Sequence, residues 1–156
     1  MADKPAPVPG LGLTLKGRAL RYLAQREYSR AELERKLGGY AESPEQLARV
    51  LDELQAKDFI SEARVIESVV NRRQAKLGAA RIKHELQGKG LAPEAVAEAV
   101  NSLKASEVER AREVWRKKFG EPALNAAARG KQMRFLAARG FGSDAIRRVV
   151  LQAEDD

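Results

Sequence analysis

A pattern of apolar residues, prolines and glycines recurs along the chain at an interval of about 50 residues. Moving the sequence by 49 positions places Leu33 on Ile82, Leu37 on Leu86, Pro44 on Pro93, Leu47 on Val96, Leu51 on Val100 and Leu54 on Leu103. A further move by 50 places Leu86 on Leu136, Gly90 on Gly140, Leu91 on Phe141, Val96 on Ile146 and Val100 on Val150. Repeats of this length are typical of stacked supersecondary units, each of which needs its neighbours to cover its apolar face. The chain is therefore expected to contain three copies of one unit.

Helix start and stop signals divide each copy into three short helices. Ser29 and Glu32 have the spacing of a capping box, and Ser43 before Pro44 marks another helix start, with Gln46 in the reciprocal position. Further helix boundaries are expected at the capping box Ser106 and Glu109, at Ser143, and at the glycines Gly38, Gly39, Gly88 and Gly90.

The stretch 58–90 predicts one long amphipathic helix that reaches a break at Gly78, followed by a shorter helix. The positions predicted to be buried in this stretch are Ala63, Ile66, Val69, Val70, Leu77, Ile82 and Leu86. The first helix of the third copy is expected to bury Val108, Ala111, Val114, Trp115 and Phe119. Trp115 and Phe119 share that stripe, so we interpret them as core residues rather than as a stacking platform for bases.

These patterns predict an all-α protein built from three tandem three-helix repeats, helix-turn-helix-like in plan, that form an elongated, curved body. The sequence has no strictly alternating run of β-branched residues, which argues against a β-sheet. The expected segments are a disordered tail over 1–12, repeats over 13–57, 58–105 and 106–153, and an acidic tail over 154–156.

Positive charge is concentrated in the central and C-terminal parts of the chain, whose net charge is +7. Residues 61–90 hold seven basic and three acidic side chains, and residues 110–148 hold eleven and three. Such asymmetry favours a surface for polyanions, although a merely solvated cationic surface is the alternative. No apolar run approaches the roughly 18 residues that span a bilayer, and no secretory signal is recognisable, so we expect a cytoplasmic protein that does not enter membranes.

The residues for catalysis or for a cofactor are missing from this sequence. Without cysteine, disulfides, thiolate metal sites and cysteine nucleophiles are excluded. The single histidine, His84, has no second histidine to share a metal with, and we interpret it as a surface residue. No glycine-rich loop is followed by the Lys-Ser or Lys-Thr pair that binds phosphates, and the acidic pairs lie on polar helix faces. We therefore predict no catalytic residue, no metal and no cofactor.

The basic residues are the candidates for binding. If the repeats stack in register, their cations form a stripe for phosphates or for an acidic protein groove. The candidate positions are Arg64, Arg72, Arg73, Lys76, Arg81, Lys83, Lys89, Arg116, Lys117, Lys118, Arg134, Arg139, Arg147 and Arg148. The alternative is that each solvates a helix and pairs with a carboxylate four residues away, which stabilises little. No single recognition helix stands out, so sequence-specific reading of DNA is weakly supported.

Several segments of the chain form a recognisable set. They are ALRYLAQREYSRAELERKL at 19–37, Asp58-Phe59-Ile60, Arg72-Arg73, Gly78, Arg81-Ile82, Glu85-Leu86, Lys89-Gly90-Leu91, Arg134-Phe135-Leu136 and Arg139-Gly140-Phe141. Together they resemble the RecX family of recombinase regulators. The likeness covers residues 13 to 152 and includes the order and spacing of all three repeats. One departure is Gly38-Gly39-Tyr40, where a basic residue beside the glycine is expected.

The resemblance implies a non-enzymatic modulator of the RecA recombinase that lies in the groove of the RecA filament on single-stranded DNA. There it would hinder filament extension and suppress ATP hydrolysis, strand exchange and co-protease activity, and so act in DNA repair, homologous recombination and SOS regulation. The expected partners are the RecA filament and single-stranded DNA, with duplex DNA bound weakly at most, and the expected state is a monomer. Two alternatives remain open: a basic helical protein that binds DNA independently of the recombinase, and a helical adaptor for an unrelated acidic partner.

Overall fold

The computed structural model describes residues 13–156, which form nine α-helices, one short 3₁₀ helix and no β-strand. The helices are α1 (Leu15–Gln25), α2 (Arg30–Leu37), α3 (Pro44–Ala56), α4 (Glu62–Arg73), α5 (Ala79–Gly88), α6 (Pro93–Lys104), α7 (Glu107–Lys118), α8 (Ala126–Ala138) and α9 (Ser143–Asp155), with the 3₁₀ helix at Gly38–Tyr40. The all-α prediction is confirmed over this range, and the tail predicted at 1–12 lies outside it. The last helix runs to Asp155, into the segment expected to be an acidic tail.

The helix starts at Ser29 and Ser43 follow the caps read from the sequence. Ser29 has extended backbone, its Oγ accepts from the N–H of Glu32 at 3.1 Å, and the Glu32 carboxylate accepts from the N–H of Ser29 at 3.0 Å. Ser43 Oγ accepts from the N–H of Gln46 at 3.1 Å. The Gln46 side chain instead accepts from the N–H of Glu42 at 2.7 Å, one residue before the cap. Both helix starts therefore have their free backbone donors satisfied locally.

Two other predicted caps are wrong. Ser106 precedes α7 with φ −110° and ψ 10°, and its hydroxyl makes no cap hydrogen bond. Instead it donates to the carbonyl of Leu103 at 3.3 Å and accepts from Arg110 Nε at 3.0 Å, while Glu109 pairs with Arg112. Ser143 is the first residue of α9, and the extended Gly142 stands at the cap position.

Helix α4 is shorter than predicted, because it ends at Arg73 and is followed by a turn over the three residues 74–76. Its most buried side chains are Val65 and Val69, each 1% exposed, whereas Ala63 is exposed. The buried stripe is therefore centred on Val65, and the prediction that Ala63 is a core residue is wrong.

The chain divides into two compact units. Within the described residues, the first unit consists of 13–65 together with Lys89–Leu91. Its core contains Leu15, Ala19, Tyr28, Leu33, Leu37, Leu51, Leu54 and Ile60. The tyrosines Tyr22 and Tyr28 meet edge to face with ring centroids 5.4 Å apart, an arrangement that aromatic pairs prefer.

The second unit consists of Ile66–Gly88 and Ala92–Asp156. One of its cores contains Ala111, Val114, Trp115, Leu136, Phe141, Ala145, Ile146, Val149 and Val150. Trp115 is 8% exposed, and its indole N–H donates to the side-chain carbonyl of Gln132 at 2.9 Å. The interpretation of Trp115 as a core residue is confirmed, since a buried indole N–H needs such an acceptor. Phe119 packs partly buried against the same core and meets Phe135 edge to face.

In both units a glycine turn from one repeat lies against the start of the second helix of the preceding repeat. In the first unit, Ser29 Oγ donates to the carbonyl of Lys89 at 2.6 Å, and Gly90 follows with φ +68°. In the second unit, the N–H of Gly78 donates to the carbonyl of Arg139 at 2.8 Å. These two contacts join positions that the sequence repeat superimposes, Ser29 with Gly78 and Gly90 with Gly140. The glycine turn is therefore a repeated structural device.

Backbone meets backbone at the glycine turn of the second unit. The N–H of Ala80 donates to the carbonyl of Gly140 at 3.2 Å, and Gly140 has φ +90°, a conformation that glycine adopts without the strain other residues suffer. A Cβ on Gly140 would lie 2.7 Å from the Arg81 backbone nitrogen, and a Cβ on Gly78 would overlap the Gly140 carbonyl group. Only glycine at both positions allows this approach.

We expect Gly78→Ala to destabilise the protein by about 2–3 kcal/mol, because the overlap with rigid backbone must be relieved by separating the two segments. For a chain of this size the melting temperature should fall by roughly 5–10 °C, which thermal unfolding followed by circular dichroism would measure.

The matched control is Gly88→Ala, since an added Cβ there meets nothing within 4 Å and the residue ends an exposed part of α5. Alanine is favoured over glycine in helices, so this variant should melt at or slightly above the temperature of the parent. Equal stability of the two variants would contradict the close approach at Gly78.

Candidate functional site

Arginines at the end of α4 meet the carboxylate of α5 in the second unit. Arg73 Nε lies 3.0 Å from Glu85 Oε1, and the Arg72 guanidinium lies 3.9 Å from Glu85 Oε2. The side chains of Arg72 and Arg73 remain 50% and 44% exposed, whereas Glu85 is 28% exposed. One half-buried carboxylate thus orients two exposed guanidinium groups at the protein surface.

The same surface continues along α5 to the ends of α8 and α7. Arg81 lies one helical turn before Glu85, and its Nη1 donates to the carbonyl of Ala138 at 2.8 Å. Arg139 follows at the end of α8, with its guanidinium 4.9 Å from the centre of the Phe135 ring. Lys118 Nζ lies 5.3 Å from the centre of that ring. Cations within about 6 Å of an aromatic face are attracted to it, so Phe135 draws Arg139 and Lys118 together.

We call the group Arg72, Arg73, Arg81, Arg139 and Lys118 the cationic strip. Arg72 and Arg73 meet at Glu85, Arg81 reaches the end of α8, and Arg139 and Lys118 meet at the Phe135 ring. All lie in the second unit, where the sequence shows its excess of basic residues. A cluster of like charges on one surface raises the local concentration of anions and speeds their association.

Two of the predicted contact residues serve internal ion pairs of the first unit. Arg64 Nε lies 2.9 Å from Glu27 Oε1, and its Nη2 donates to the carbonyl of Asp58 at 2.6 Å. The hydrogen bond to Glu27 raises the pKa of Arg64. Lys89 is 13% exposed, and its Nζ lies 3.2 Å from Glu32 Oε2. Arg64 and Lys89 therefore each contribute an ion pair to the first unit.

Arg110 repeats the role of Arg64 in the second unit. Each arginine stands in the first turn of the helix that opens its repeat, and each reaches back to the loop after the first helix of the preceding repeat. Arg110 Nη1 donates to the carbonyls of Gln74 at 3.1 Å and Leu77 at 2.7 Å. Burial lowers the pKa of Arg110, which the nearby charge of Glu107 partly opposes. Its hydrogen bonds to these carbonyls explain why the turn after α4 is stable where a longer helix was predicted.

Glu107 closes the other side of this turn. It is 9% exposed, and its Oε1 accepts from the backbone N–H of Ala79 at 2.9 Å. A carboxylate at a helix N-terminus satisfies a free donor and interacts favourably with the helix dipole. Glu107 thus caps α5 from a helix of the next repeat, and no local sequence signal at Gly78 shows it. The sequence shows only that Glu107 and Arg110 are three residues apart, a spacing that allows the pair but does not indicate the cap.

The remaining candidates lie on exposed surfaces outside the strip. Arg116 and Lys117 are both near the carboxylate of Glu113, and Arg148 Nε lies 3.3 Å from Asp144. Four further candidates are exposed: Lys76, Lys83, Arg134 and Arg147. The structure therefore gathers five of the fourteen candidates, pairs two within the first unit, and leaves seven exposed outside the strip.

The structure shows His84 exposed on α5, as interpreted from the sequence. Within residues 13–156 no group of three or more histidine, aspartate or glutamate side chains is placed to hold a metal ion. None of the described helices is both long and apolar enough to cross a membrane.

Three family models match the chain in the order of its repeats. They describe the first, second and third three-helix domains of RecX, and they match residues 16–54, 61–100 and 105–150. The chain belongs to the RecX family. The resemblance read from the sequence is confirmed, and so is the prediction of three tandem three-helix repeats.

Individual relatives of the chain are named regulatory protein RecX. Regulatory protein RecX of Leptothrix cholodnii is 50% identical over 92% of each chain. Regulatory protein RecX of Herminiimonas arsenicoxydans is 48% identical over 94% of this chain and 97% of its own length. The crystal structure of RecX from Lactobacillus salivarius superimposes with a TM-score of 0.77 over 91% of this chain and 96% of its own, at 20% identity. The chain is therefore a member of a family of regulatory proteins and shares its fold.

The carboxylate of Glu32, which pairs with Lys89, should make the stability of the protein depend on pH. Burial raises the pKa of Glu32, but hydrogen bonds from Arg26, the Ser29 N–H and Lys89 outweigh it and lower the pKa from 4.5 to about 2. The stabilisation is complete above pH 4.5 and is lost as the pH falls to about 2. We expect Glu32→Gln to be less stable by about 2 kcal/mol at pH 7 and to match the parent near pH 2.

Urea unfolding of both proteins at several pH values would measure this difference. The control is Glu34→Gln, whose carboxylate lies on the same helix, is 49% exposed and pairs with Arg30. Exposed pairs contribute little, so this variant should follow the parent at every pH. A stability deficit of Glu32→Gln that stays constant from pH 7 to pH 2 would show that the ionised carboxylate does not hold the turn.

Proposed function

We propose that the protein is a negative regulator of the RecA recombinase in the cytoplasm. In this proposal it binds in the groove of the RecA filament on single-stranded DNA and inhibits filament extension, ATP hydrolysis, strand exchange and co-protease activity. It would thereby act in DNA repair and in regulation of the SOS response. Membership of a family of regulatory proteins supports the regulatory role, and the cationic strip is the observation that carries the proposed mode of binding.

The strip has the chemistry that a negatively charged fibre requires. Four of its five members are arginines, whose planar guanidinium groups donate to phosphate or carboxylate oxygens through paired hydrogen bonds. Glu85, the Ala138 carbonyl and the Phe135 ring hold these side chains without burying them, so less entropy is lost when they meet a partner. The exposed residues Lys76, Lys83, Arg116, Lys117, Arg134, Arg147 and Arg148 extend the proposed contacts. Arg64 and Lys89 are left out because both lie in the first unit, where Arg64 binds Glu27 and the Asp58 carbonyl and Lys89 is largely buried against Glu32.

Inhibition in this proposal comes from occupying the filament rather than from chemistry. A monomer that contacts DNA phosphates and an acidic protein groove at the same time gains affinity from both, while neither partner is altered covalently. No cofactor or metal is needed for that mode of action. Because phosphate contacts release counterions, the interaction should weaken steeply as salt is raised.

The test is the DNA-dependent ATPase activity of RecA, titrated with this protein or with the variant Arg72→Glu/Arg73→Glu/Arg81→Glu. The parent protein should inhibit, and the variant should need at least about tenfold more protein for half inhibition, since it loses three contacts and gains repulsion. Melting curves would verify that the variant is folded.

A control of equal charge change is Arg49→Glu/Lys57→Glu/Lys104→Glu, three exposed positions outside the strip. This control should inhibit as strongly as the parent. Equal inhibition by the strip variant would refute the contact surface. Failure of the parent to inhibit, combined with tight binding to DNA alone in a gel shift, would instead favour the recombinase-independent DNA-binding protein.

A further inference from the structure

All three tyrosines of the chain lie in the first unit, and two of them border a small cavity. The cavity has a volume of about 170 Å³ and is lined by Leu13, Arg18, Arg21, Tyr22, Gln25 and Tyr40. The guanidinium of Arg18 lies 4.0 Å from the centre of the Tyr40 ring, and Tyr40 is itself 49% exposed. This group combines positive charge with accessible aromatic surface in one place.

The local sequence builds this group from two short elements. On α1, the positions Arg18, Arg21, Tyr22 and Gln25 follow the spacing of one helix face, next to the buried stripe of Leu15 and Ala19. The start of that helix is fixed because Thr14 Oγ1 accepts from the N–H of Gly17 at 3.0 Å. The 3₁₀ helix Gly38–Tyr40 then brings Tyr40 beside Arg18.

Among the described residues, the positive charges around this cavity have no acidic partner. Lys36 Nζ lies 5.8 Å from the centre of the Tyr22 ring, which adds a third cation beside Arg18 and Arg21. Throughout residues 13–156 none of these three side chains forms an ion pair with a carboxylate. Other arginines of the same unit, Arg26 and Arg30, are paired with acids. The site is therefore suited to an anion that also has a flat apolar face.

We propose that this cavity is a nucleotide-binding site for single-stranded DNA, in which an unstacked base lies against Tyr40 and the neighbouring phosphates meet Arg18 and Arg21. Stacking on an aromatic ring and charge contacts to the backbone are the two terms by which proteins hold single strands. The site gives the first unit, which is almost neutral in sequence, a direct contact to the DNA strand. Its role in the cell rests on the proposed function, but its existence is tested with DNA alone.

The combination of groups selects a single strand over a duplex. In a duplex the bases are stacked on each other, so Tyr40 would meet only the sugar-phosphate backbone. A site that used charge alone would bind both forms and would not need an exposed ring beside its arginines. The proposal therefore requires that binding depends on the base as well as on the phosphate.

Fluorescence anisotropy of a labelled thymidine oligonucleotide, measured without recombinase, tests the site. Tyr40→Ala should weaken binding of the oligonucleotide about tenfold, because one stacked base is lost, whereas Tyr40→Phe should bind like the parent. An abasic oligonucleotide of the same length keeps the phosphates without the bases. It should bind less tightly to the parent and should not distinguish Tyr40→Ala from Tyr40→Phe.

Arg18→Ala should weaken binding of both oligonucleotides, while Arg49→Ala, the same charge change on an exposed part of the same unit, should leave both unchanged. Unchanged binding of the thymidine oligonucleotide to Tyr40→Ala would overturn the site, as would an equal loss on the abasic oligonucleotide. The anisotropy measurement tests the cavity, and the RecA ATPase titration tests the proposed function. Failure of one proposal can therefore be distinguished from failure of the other.

Discussion

The contact on which this structure depends is a glycine turn pressed against the start of a helix in the preceding repeat. Gly140 reaches the backbone of Gly78 and Ala80 in the second unit, and Gly90 approaches Ala31 in the first. Backbone hydrogen bonds can form there only because neither glycine at the closest approach has a side chain. A single three-helix repeat is too small to bury its apolar face alone. Contact with the neighbouring repeat therefore contributes stability that the isolated repeat lacks.

The same contact determines which cations are free. Around each turn, charged side chains of the following repeat hold the loops: Arg64 and Lys89 in the first unit, and Arg110 with Glu107 in the second. Arg81 and Arg139 flank the second turn; Arg81 is exposed and Arg139 is partly exposed, and both belong to the cationic strip. The charged side chains around the turn therefore include some that hold its loops and others that remain accessible to a partner.

The repeat and most helices could be predicted from the sequence because apolar spacing and caps such as Ser29 are local signals. The end of α4 could not, since its turn is held by Arg110 of a later helix, 33 residues beyond Leu77. The pairing of Arg64 with Glu27 and of Lys89 with Glu32 is hidden for the same reason, as the partners lie 37 and 57 residues apart. The cavity beside Tyr40 is hidden as well, because the 3₁₀ helix brings Tyr40 beside Arg18 of α1, a residue distant from it in the sequence.

Amide hydrogen exchange at Gly78 and Ala80 tests most directly whether the glycine turn holds the second and third repeats together. The N–H of Gly78 donates to the carbonyl of Arg139, and the N–H of Ala80 donates to the carbonyl of Gly140. Protection of these two amides therefore reports on the turn. If the turn opens only when the whole unit unfolds, these amides should exchange as slowly as that of Ile82 in the buried face of α5. Exchange at the rate of freely solvated amides, with Ile82 still protected, would contradict the account.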